Sequence, residues 1–217
     1  MRNSLSLQEQ LLLLCLDDQS GAFRVSWIDH GLSGGALAEL MLREQIRLDD
    51  RSRVVVENPA PTGDDLLDRA LSRLAEGRRP GRLSGWAATL YRGRPTVREA
   101  LLARLVDRGI LTPQEGRILW LFRHIRYPAA DPSPELALRD RLREVLLGDV
   151  PVEQRLAILI GLLHGLRALG QLLTKVELKQ QRQRVQQICD GDPISRVIAK
   201  AVWDAVSAAQ AAASGGG

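Results

Sequence analysis

Aromatic side chains are scarce in this sequence, because its 217 residues include only four Trp, two Tyr and two Phe. The chain is long enough for one large domain, whose core must be built from Leu, Val, Ile and Ala. This composition favours helices. Lysine is also scarce, since Lys175, Lys179 and Lys200 are the only lysines among 30 basic residues. An arginine-rich, lysine-poor composition is typical of high-GC genomes, and we therefore expect a bacterial source.

Cysteines and long apolar runs are rare as well. Cys15 and Cys189 lie in apolar helical patterns, and neither belongs to a CxxC pair. This spacing supports neither a metal site nor a disulfide framework, so we expect a reduced, cytoplasmic setting and no cofactor. The longest apolar run, Leu11 to Leu16, is much shorter than the roughly 20 residues needed to cross a bilayer. Any membrane contact is expected to be peripheral.

The charge and motif content narrow the function classes. A formal net charge of +4 is compatible with an anionic partner, but it does not distinguish a lipid from a nucleic acid. The sequence contains no nucleophile constellation, phosphate loop or dinucleotide fingerprint. We therefore expect a binding protein and not an enzyme.

Helix-start signals predict a mostly α, single globular domain over residues 1–209, followed by a disordered Ala/Ser/Gly tail at 210–217. Two segments, Leu7 to Leu16 and Val152 to Leu173, are apolar on more than one helical face, and both are expected at the centre of the fold. Three residue pairs have the spacing of a capping box, in which each member satisfies an orphan N–H of a helix start. They are Ser6 with Glu9, Thr62 with Asp65, and Thr96 with Glu99.

Short β segments are predicted between the helices. Ile46–Leu48 and Arg53–Glu57 form one candidate hairpin, residues 118–125 form another, and residues 22–28 are a candidate single strand. After that strand, the sequence around Ser33 leads into a second helix.

Several segments, in order, identify a family that the chain resembles. They are LSLQEQLLLLCLDDQSG, GLSGGALAELMLREQIRL, APTGDDLLDRAL, TVREALLARLVDRGILT, RLAILIGLLH and KAVWDAV. Together they resemble the Golgi phosphoprotein 3 family over roughly Leu5 to Val206. The resemblance implies a helical domain with small β-hairpins. It also implies phosphatidylinositol 4-phosphate binding, a hydrophobic hairpin that enters the bilayer, and retention of glycosylation enzymes through their cytoplasmic tails.

The resemblance further implies a lipid-headgroup site. Arg98 matches one family arginine, Arg94 lies one residue from the position of another, and Trp27 is the approximate counterpart of the family tryptophan. Ser33 stands where the family has a third arginine. The N–H groups that follow Ser33 could themselves hold a phosphate at a helix start. Alternatively, Ser33 is only an N-cap and Arg98 is simply solvated.

An apolar hairpin is the second candidate site. Matching family hairpins insert into membranes and self-associate, so the resemblance implies contact with lipid or with another copy of the chain. Alternation places apolar residues on both faces, which is equally compatible with burial in the core. The residues concerned are Ile118, Leu119, Trp120, Leu121 and Phe122.

Three functions follow from this sequence. The first is a cytoplasmic, oligomeric, peripheral membrane protein that binds an anionic phospholipid membrane or phosphoinositide-like headgroups and acts as an adaptor for an unknown protein client. Under this hypothesis no nucleic-acid partner is expected. The second is a nucleic-acid-binding, winged-helix-like protein in which Val97 to Leu111 and the following hairpin supply helix and wing. The third is a soluble protein-interaction scaffold.

Overall fold

Ten α-helices and two small antiparallel β-hairpins form the structure, a computed structural model that describes residues 4–17, 19–77, 81–91, 96–118 and 122–215. This architecture confirms the mostly α prediction. The elements are α1 (Leu7–Cys15), α2 (Ile28–Leu42), β1 (Ile46–Leu48), β2 (Val54–Val56), α3 (Asp65–Glu76), α4 (Leu83–Thr89), α5 (Val97–Asp107), β3 (Gln114–Ile118), β4 (Phe122–Arg126), α6 (Ser133–Leu147), α7 (Gln154–Gly165), a 3₁₀ turn (Leu169–Gln171), α8 (Lys175–Gln180), α9 (Arg182–Gly191) and α10 (Pro193–Ser214).

Helices α1 and α7 lie in the core, as predicted. The capping box at the start of α1 is formed, because the Ser6 hydroxyl accepts from the Glu9 N–H at 3.2 Å and the Glu9 carboxylate accepts from the Ser6 N–H at 2.8 Å. The apolar side chains from Leu11 to Leu16 are at most 2% exposed, and those from Leu156 to Leu163 are all buried. A helix that is apolar on every face needs this position to remove its side chains from water.

A buried carboxylate joins three of the central helices. Glu39 of α2 is 4% exposed and accepts from the Leu7 N–H, at the start of α1, at 2.9 Å. The Arg155 guanidinium, at the start of α7, donates to the two Glu39 oxygens at 2.7 and 3.1 Å. A buried charge is tolerated when it is paired and hydrogen-bonded in this way. The pair therefore fixes how α1, α2 and α7 meet.

Helices α7 and α10 approach each other closely because glycine faces the contact. A Cβ atom on Gly165 would lie 2.7 Å from the Ala199 carbonyl oxygen and 2.9 Å from the Val202 Cβ. Real Cβ atoms do not come this close to backbone. Gly165 thus sets the distance between the two helices.

Both hairpins are antiparallel and two-stranded. In the first, Ile46 pairs with Val56. In the second, the register runs from Gln114 opposite Arg126 to Ile118 opposite Phe122. This confirms a hairpin, but its first strand begins at Gln114, four residues before the predicted start at residue 118. Three residues of the predicted apolar tip, Leu119, Trp120 and Leu121, lie outside the described residues.

The predicted capping box of Thr62 with Asp65 is wrong. Asp64 is the N-cap of α3, because its carboxylate accepts from the N–H groups of Leu66 and Leu67 at 2.9 and 3.1 Å. The Thr62 hydroxyl accepts from the Asp64 N–H at 3.0 Å and so forms the turn that precedes the helix. Asp64, two residues after the predicted N-cap Thr62, takes the N-cap position instead, because aspartate is among the preferred N-cap residues.

Several other boundaries differ from the prediction. Residues 22–28 do not form a strand beyond a single bridge between Leu16 and Phe23. Trp27 has a left-handed φ of 63°, and Ile28 already begins α2. Helix α7 ends at Gly165, and the polar segment after it is divided into α8 and α9. Helix α10 continues to Ser214 and so includes residues 210–214, which the sequence had assigned to the tail.

Candidate headgroup site

Arg98 lies in an ion pair that connects the starts of two helices. It is the second residue of α5 and lies between Thr96 and Glu99, whose predicted capping box is formed. Its Nη2 donates to Asp29 Oδ2 at 2.5 Å and its Nε donates to Asp29 Oδ1 at 3.2 Å. Asp29 is the second residue of α2. The N-terminal ends of α2 and α5 therefore converge at this pair.

The aromatic ring of Phe23 lies under the same guanidinium. The distance from the Arg98 Cζ atom to the ring centroid is 4.7 Å, which is within the range of a cation–π contact. Phe23 is partly buried against the core. Arg98 is consequently held from two sides while its side chain stays 35% exposed.

The loop that carries Phe23 is shaped by Asp17. The Asp17 Oδ1 accepts from the Ser20 N–H at 2.6 Å, and Oδ2 accepts from the Arg24 Nε at 2.9 Å. The Ser20 N–H, followed by the Arg24 guanidinium, holds the pKa of the Asp17 carboxyl well below its usual range. The carboxyl is therefore ionised at neutral pH and keeps the turn closed.

Trp27 and His30 flank the site at the start of α2. The two rings stack with centroids 5.9 Å apart, and the indole is 37% exposed. The His30 Nε2 is buried and has no hydrogen-bond partner among the described residues. Burial lowers the pKa of His30, with Asp29 acting in the opposite direction. His30 is therefore neutral at pH 7 and adds no positive charge.

The prediction that Ser33 opens the second helix is wrong. Helix α2 begins five residues earlier, at Ile28, and the Ser33 side chain is buried inside it. The Ser33 hydroxyl donates to the Asp29 carbonyl oxygen at 2.9 Å, one turn back. The N–H groups after Ser33 are consequently within the helix and not at its end. The free N-terminus belongs to the residues around Asp29.

The structure unites some of the predicted site residues and leaves others apart. Arg98 lies beside the α2 start that Trp27 caps, whereas Arg94 lies outside the described residues. Phe23 and Asp29 are contacts that the sequence reasoning missed. Asp29 and Arg98 are 69 positions apart, so no local spacing could have revealed their pairing.

The loop that carries Gly21 and Phe23, which we call the site loop, also packs against the base of the second hairpin. Gly21 has φ of +60°, and a Cβ atom there would lie 2.2 Å from the Tyr127 backbone nitrogen. Tyr127 directly follows β4. The base of this hairpin is fixed by the Thr112 N–H, which donates to the Pro128 carbonyl oxygen at 3.0 Å. The headgroup site and the hairpin are thus neighbours.

Other features of the described residues do not compete with this site. A surface cleft of about 590 Å³ is lined by α1, α5 and α6 residues, including Gln10, Arg108 and Arg141, and contains none of the predicted site residues. Within the described ranges, no group of three or more His, Cys, Asp or Glu side chains could hold a metal ion. None of the described helices combines the length and the apolar character needed to span a bilayer.

A family model described as Golgi phosphoprotein 3 (GPP34) matches residues 7–209. The chain belongs to the Golgi phosphoprotein 3 family. The match starts at the first residue of α1 and ends within α10. It therefore includes the Asp29–Arg98 pair and the second hairpin, both of which belong to the part that this chain shares with the Golgi phosphoprotein 3 family.

Proposed function

We propose that this protein is a cytoplasmic, peripheral membrane protein without catalytic activity, which binds anionic phospholipid or phosphoinositide-like headgroups beside Arg98. Its further role would be that of an adaptor for membrane clients. The observation that carries the proposal is the position of the Arg98 guanidinium, held over Phe23 where the N-terminal ends of α2 and α5 meet. Membership of the Golgi phosphoprotein 3 family supports it.

The electrostatics of this position favour an anion. Each helix N-terminus carries a partial positive charge, and here two of them converge on one arginine. A cation in the first turn of a helix is unfavourable unless a negative group lies close to it, which Asp29 shows by pairing with Arg98. A headgroup phosphate would meet the same requirement. We therefore propose Arg98 as the main headgroup contact.

Trp27 and the second hairpin supply the apolar side of the proposed contact. The exposed Trp27 indole suits the membrane interface, where amphipathic aromatic rings are favoured. The residues from Ile118 to Phe122, where β3 ends and β4 begins, are all apolar, and the base of the hairpin adjoins the site loop through Gly21. A bilayer that delivers a headgroup to Arg98 would then be close to the hairpin. The same apolar surface is our proposed contact for a homo-oligomer.

The contacts of the α5 arginines favour lipid over nucleic acid. The Arg104 guanidinium donates to Asp64 at 2.9 Å, and Arg108, the C-cap of α5, donates to Glu9 at 3.2 Å. A winged-helix protein would direct such guanidinium groups toward phosphates of the nucleic-acid backbone. Here Arg104 and Arg108 both serve to hold the domain together.

Sedimentation with lipid vesicles tests the proposal. Binding to vesicles of phosphatidylcholine would be compared with binding to vesicles that also contain phosphatidylserine or phosphatidylinositol 4-phosphate. We expect binding only to the anionic vesicles, and this binding should weaken as the salt concentration rises. Arg98→Ala should lower the affinity for anionic vesicles about fivefold, since one basic residue at such a surface contributes about 1 kcal/mol.

The matched control is Arg47→Ala, which removes an exposed arginine of β1 that pairs with Glu57 at 2.5 Å. Equal losses in both variants would show a general effect of charge and not a site. A gel-shift assay with duplex DNA, run on the same proteins, tests the alternative. A DNA shift that Arg98→Ala abolishes, without vesicle binding, would overturn the lipid proposal.

A further inference from the structure

We infer that Asp29 is an internal competitor for the anion site, so that a headgroup binds Arg98 only by displacing the Asp29 carboxylate. This inference rests on the proposed function. The proposed function names residues that promote headgroup binding, and this inference names a residue that restrains it. The family resemblance assigned no role to this position.

The geometry of the pair supports the inference. Both Asp29 oxygens accept from Arg98, one from Nη2 at 2.5 Å and the other from Nε at 3.2 Å. With the Phe23 ring across one guanidinium face, the carboxylate takes the edge of the guanidinium through which a phosphate would bind side-on. An incoming phosphate and Asp29 therefore require the same donors.

Asp29 also occupies the second feature that would attract an anion. As the second residue of α2, it lies in the first helical turn, where a negative side chain is stabilised by the N-terminal end of the helix. Its charge cancels that of Arg98, so the pair presents no net charge to a membrane. The Asp29 side chain is 51% exposed, which leaves it free to swing into water when a stronger anion arrives.

Asp29→Asn removes the competing charge and keeps the shape of the side chain. If Asp29 restrains Arg98, this variant should bind phosphatidylserine vesicles about two- to fivefold more tightly than wild type, the range that corresponds to the loss of one exposed ion pair. The matched control is Glu57→Gln, which removes an equal charge from the exposed pair with Arg47. Circular dichroism and thermal melting would show that both variants fold. Asp29→Ser serves as a second variant.

Four variants, each compared with wild type, separate the inference from the function on which it rests. Tighter binding in Asp29→Asn, no gain in Glu57→Gln, and a return to the Arg98→Ala level in the double variant Asp29→Asn/Arg98→Ala would support the restraint. If Arg98→Ala weakens binding but Asp29→Asn does not strengthen it, only the inference is overturned. The inference alone is also overturned if Asp29→Asn strengthens vesicle binding when Arg98 has been replaced by alanine. If neither Asp29→Asn nor wild type binds anionic vesicles, both the function and the restraint are refuted.

Discussion

The Arg104 guanidinium donates to both carboxylate oxygens of Asp64, each at 2.9 Å, and so ties the last turn of α5 to the residue that caps α3. The two residues are 40 positions apart. Asp64 accepts from α3 N–H groups and from α5 at the same time, which links the APTGDDLLDRAL segment to the helix that carries Arg98. The segment that marks the family in the sequence is thus also a structural support of the candidate site.

The Asp64–Arg104 pair should make stability depend on pH. Burial alone would raise the pKa of Asp64, but the hydrogen bonds from Arg104 and from the Leu67 and Leu66 N–H groups outweigh it and hold the pKa below its usual value. A group whose pKa is lowered by folding contributes stability above its unfolded pKa and loses that contribution as the pH falls through its folded pKa. Asp64 therefore stabilises the protein at neutral pH and less in acid.

Asp64→Asn tests this dependence, because asparagine is an equally good N-cap but removes the charge and one of the two oxygens that accept from Arg104. We expect a loss of about 1.5–3 kcal/mol in the free energy of unfolding at pH 7, the usual contribution of a hydrogen-bonded charged group. The difference from wild type should shrink below about pH 4, as Asp64 becomes protonated. Urea unfolding from about pH 7 to about pH 3 measures it. A constant difference across this range would refute the argument.

Asp65→Asn is the matched control. Asp65 also contacts Arg104, but its side chain is 84% exposed. Water screens an exposed pair, so this variant should lose less than about 0.5 kcal/mol. Equal losses in the two variants would show that the charge of the loop matters and not the partly buried Asp64–Arg104 pair.

How much the sequence could predict depended on the distance between the interacting residues. Ser6 with Glu9, and Thr96 with Glu99, interact across three positions, and both capping boxes are formed. The start of α2 had no such signal, because Trp27 caps the helix through its backbone and makes no side-chain hydrogen bond. Polar and small residues are typical of helix starts, and those around Ser33 therefore predicted a start that lies inside α2.

The same limit applied to the candidate site. Arg98 was found because it matches a family position, whereas Asp29 and Phe23 reach it from α2 and from the preceding loop. Such contacts depend on the tertiary arrangement of α2 and α5. Residue spacing within one segment contains no information about them, so the restraint on Arg98 could be recognised only from the folded structure.

Gly165 should tolerate no side chain. In Gly165→Ala the new methyl group would overlap the Ala199 carbonyl oxygen and the Val202 Cβ across the α7–α10 contact. A change of side-chain rotamer moves neither atom, so the two helices would have to move apart. We expect a loss of about 1–3 kcal/mol in the free energy of unfolding. Gly85→Ala in α4 is the control, since nothing lies within 4 Å of the position that its methyl group would take, and it should be neutral or stabilising by up to about 1 kcal/mol. Chemical denaturation that ranks the two variants in the opposite order would contradict this packing.

The hairpin should form an intermolecular surface. Its residues from Ile118 to Phe122 are all apolar, and an apolar segment of this kind needs a covering partner when it faces water. Replacing Leu119 and Trp120 with serine should lower vesicle binding or shift an oligomer toward monomer, as measured by sedimentation and light scattering. If the double variant unfolds, the hairpin belongs to the core. If it remains folded with both properties unchanged, the hairpin has no such role.

Gly21 should couple the headgroup site to the hairpin. In Gly21→Ala, a left-handed backbone conformation adds a strain of about 1–2 kcal/mol, and the methyl group would also overlap the Tyr127 backbone, so the site loop must move away from the hairpin base. Gly63→Ala is a matched control, because Gly63 has φ of +79° but nothing lies within 4 Å of the position that its methyl group would take. Both variants should lose stability through strain, with the larger loss in Gly21→Ala. Only Gly21→Ala should also weaken binding to anionic vesicles at a temperature where both are folded. Equal vesicle binding by the two folded variants would show that the loop and the hairpin act independently at a membrane.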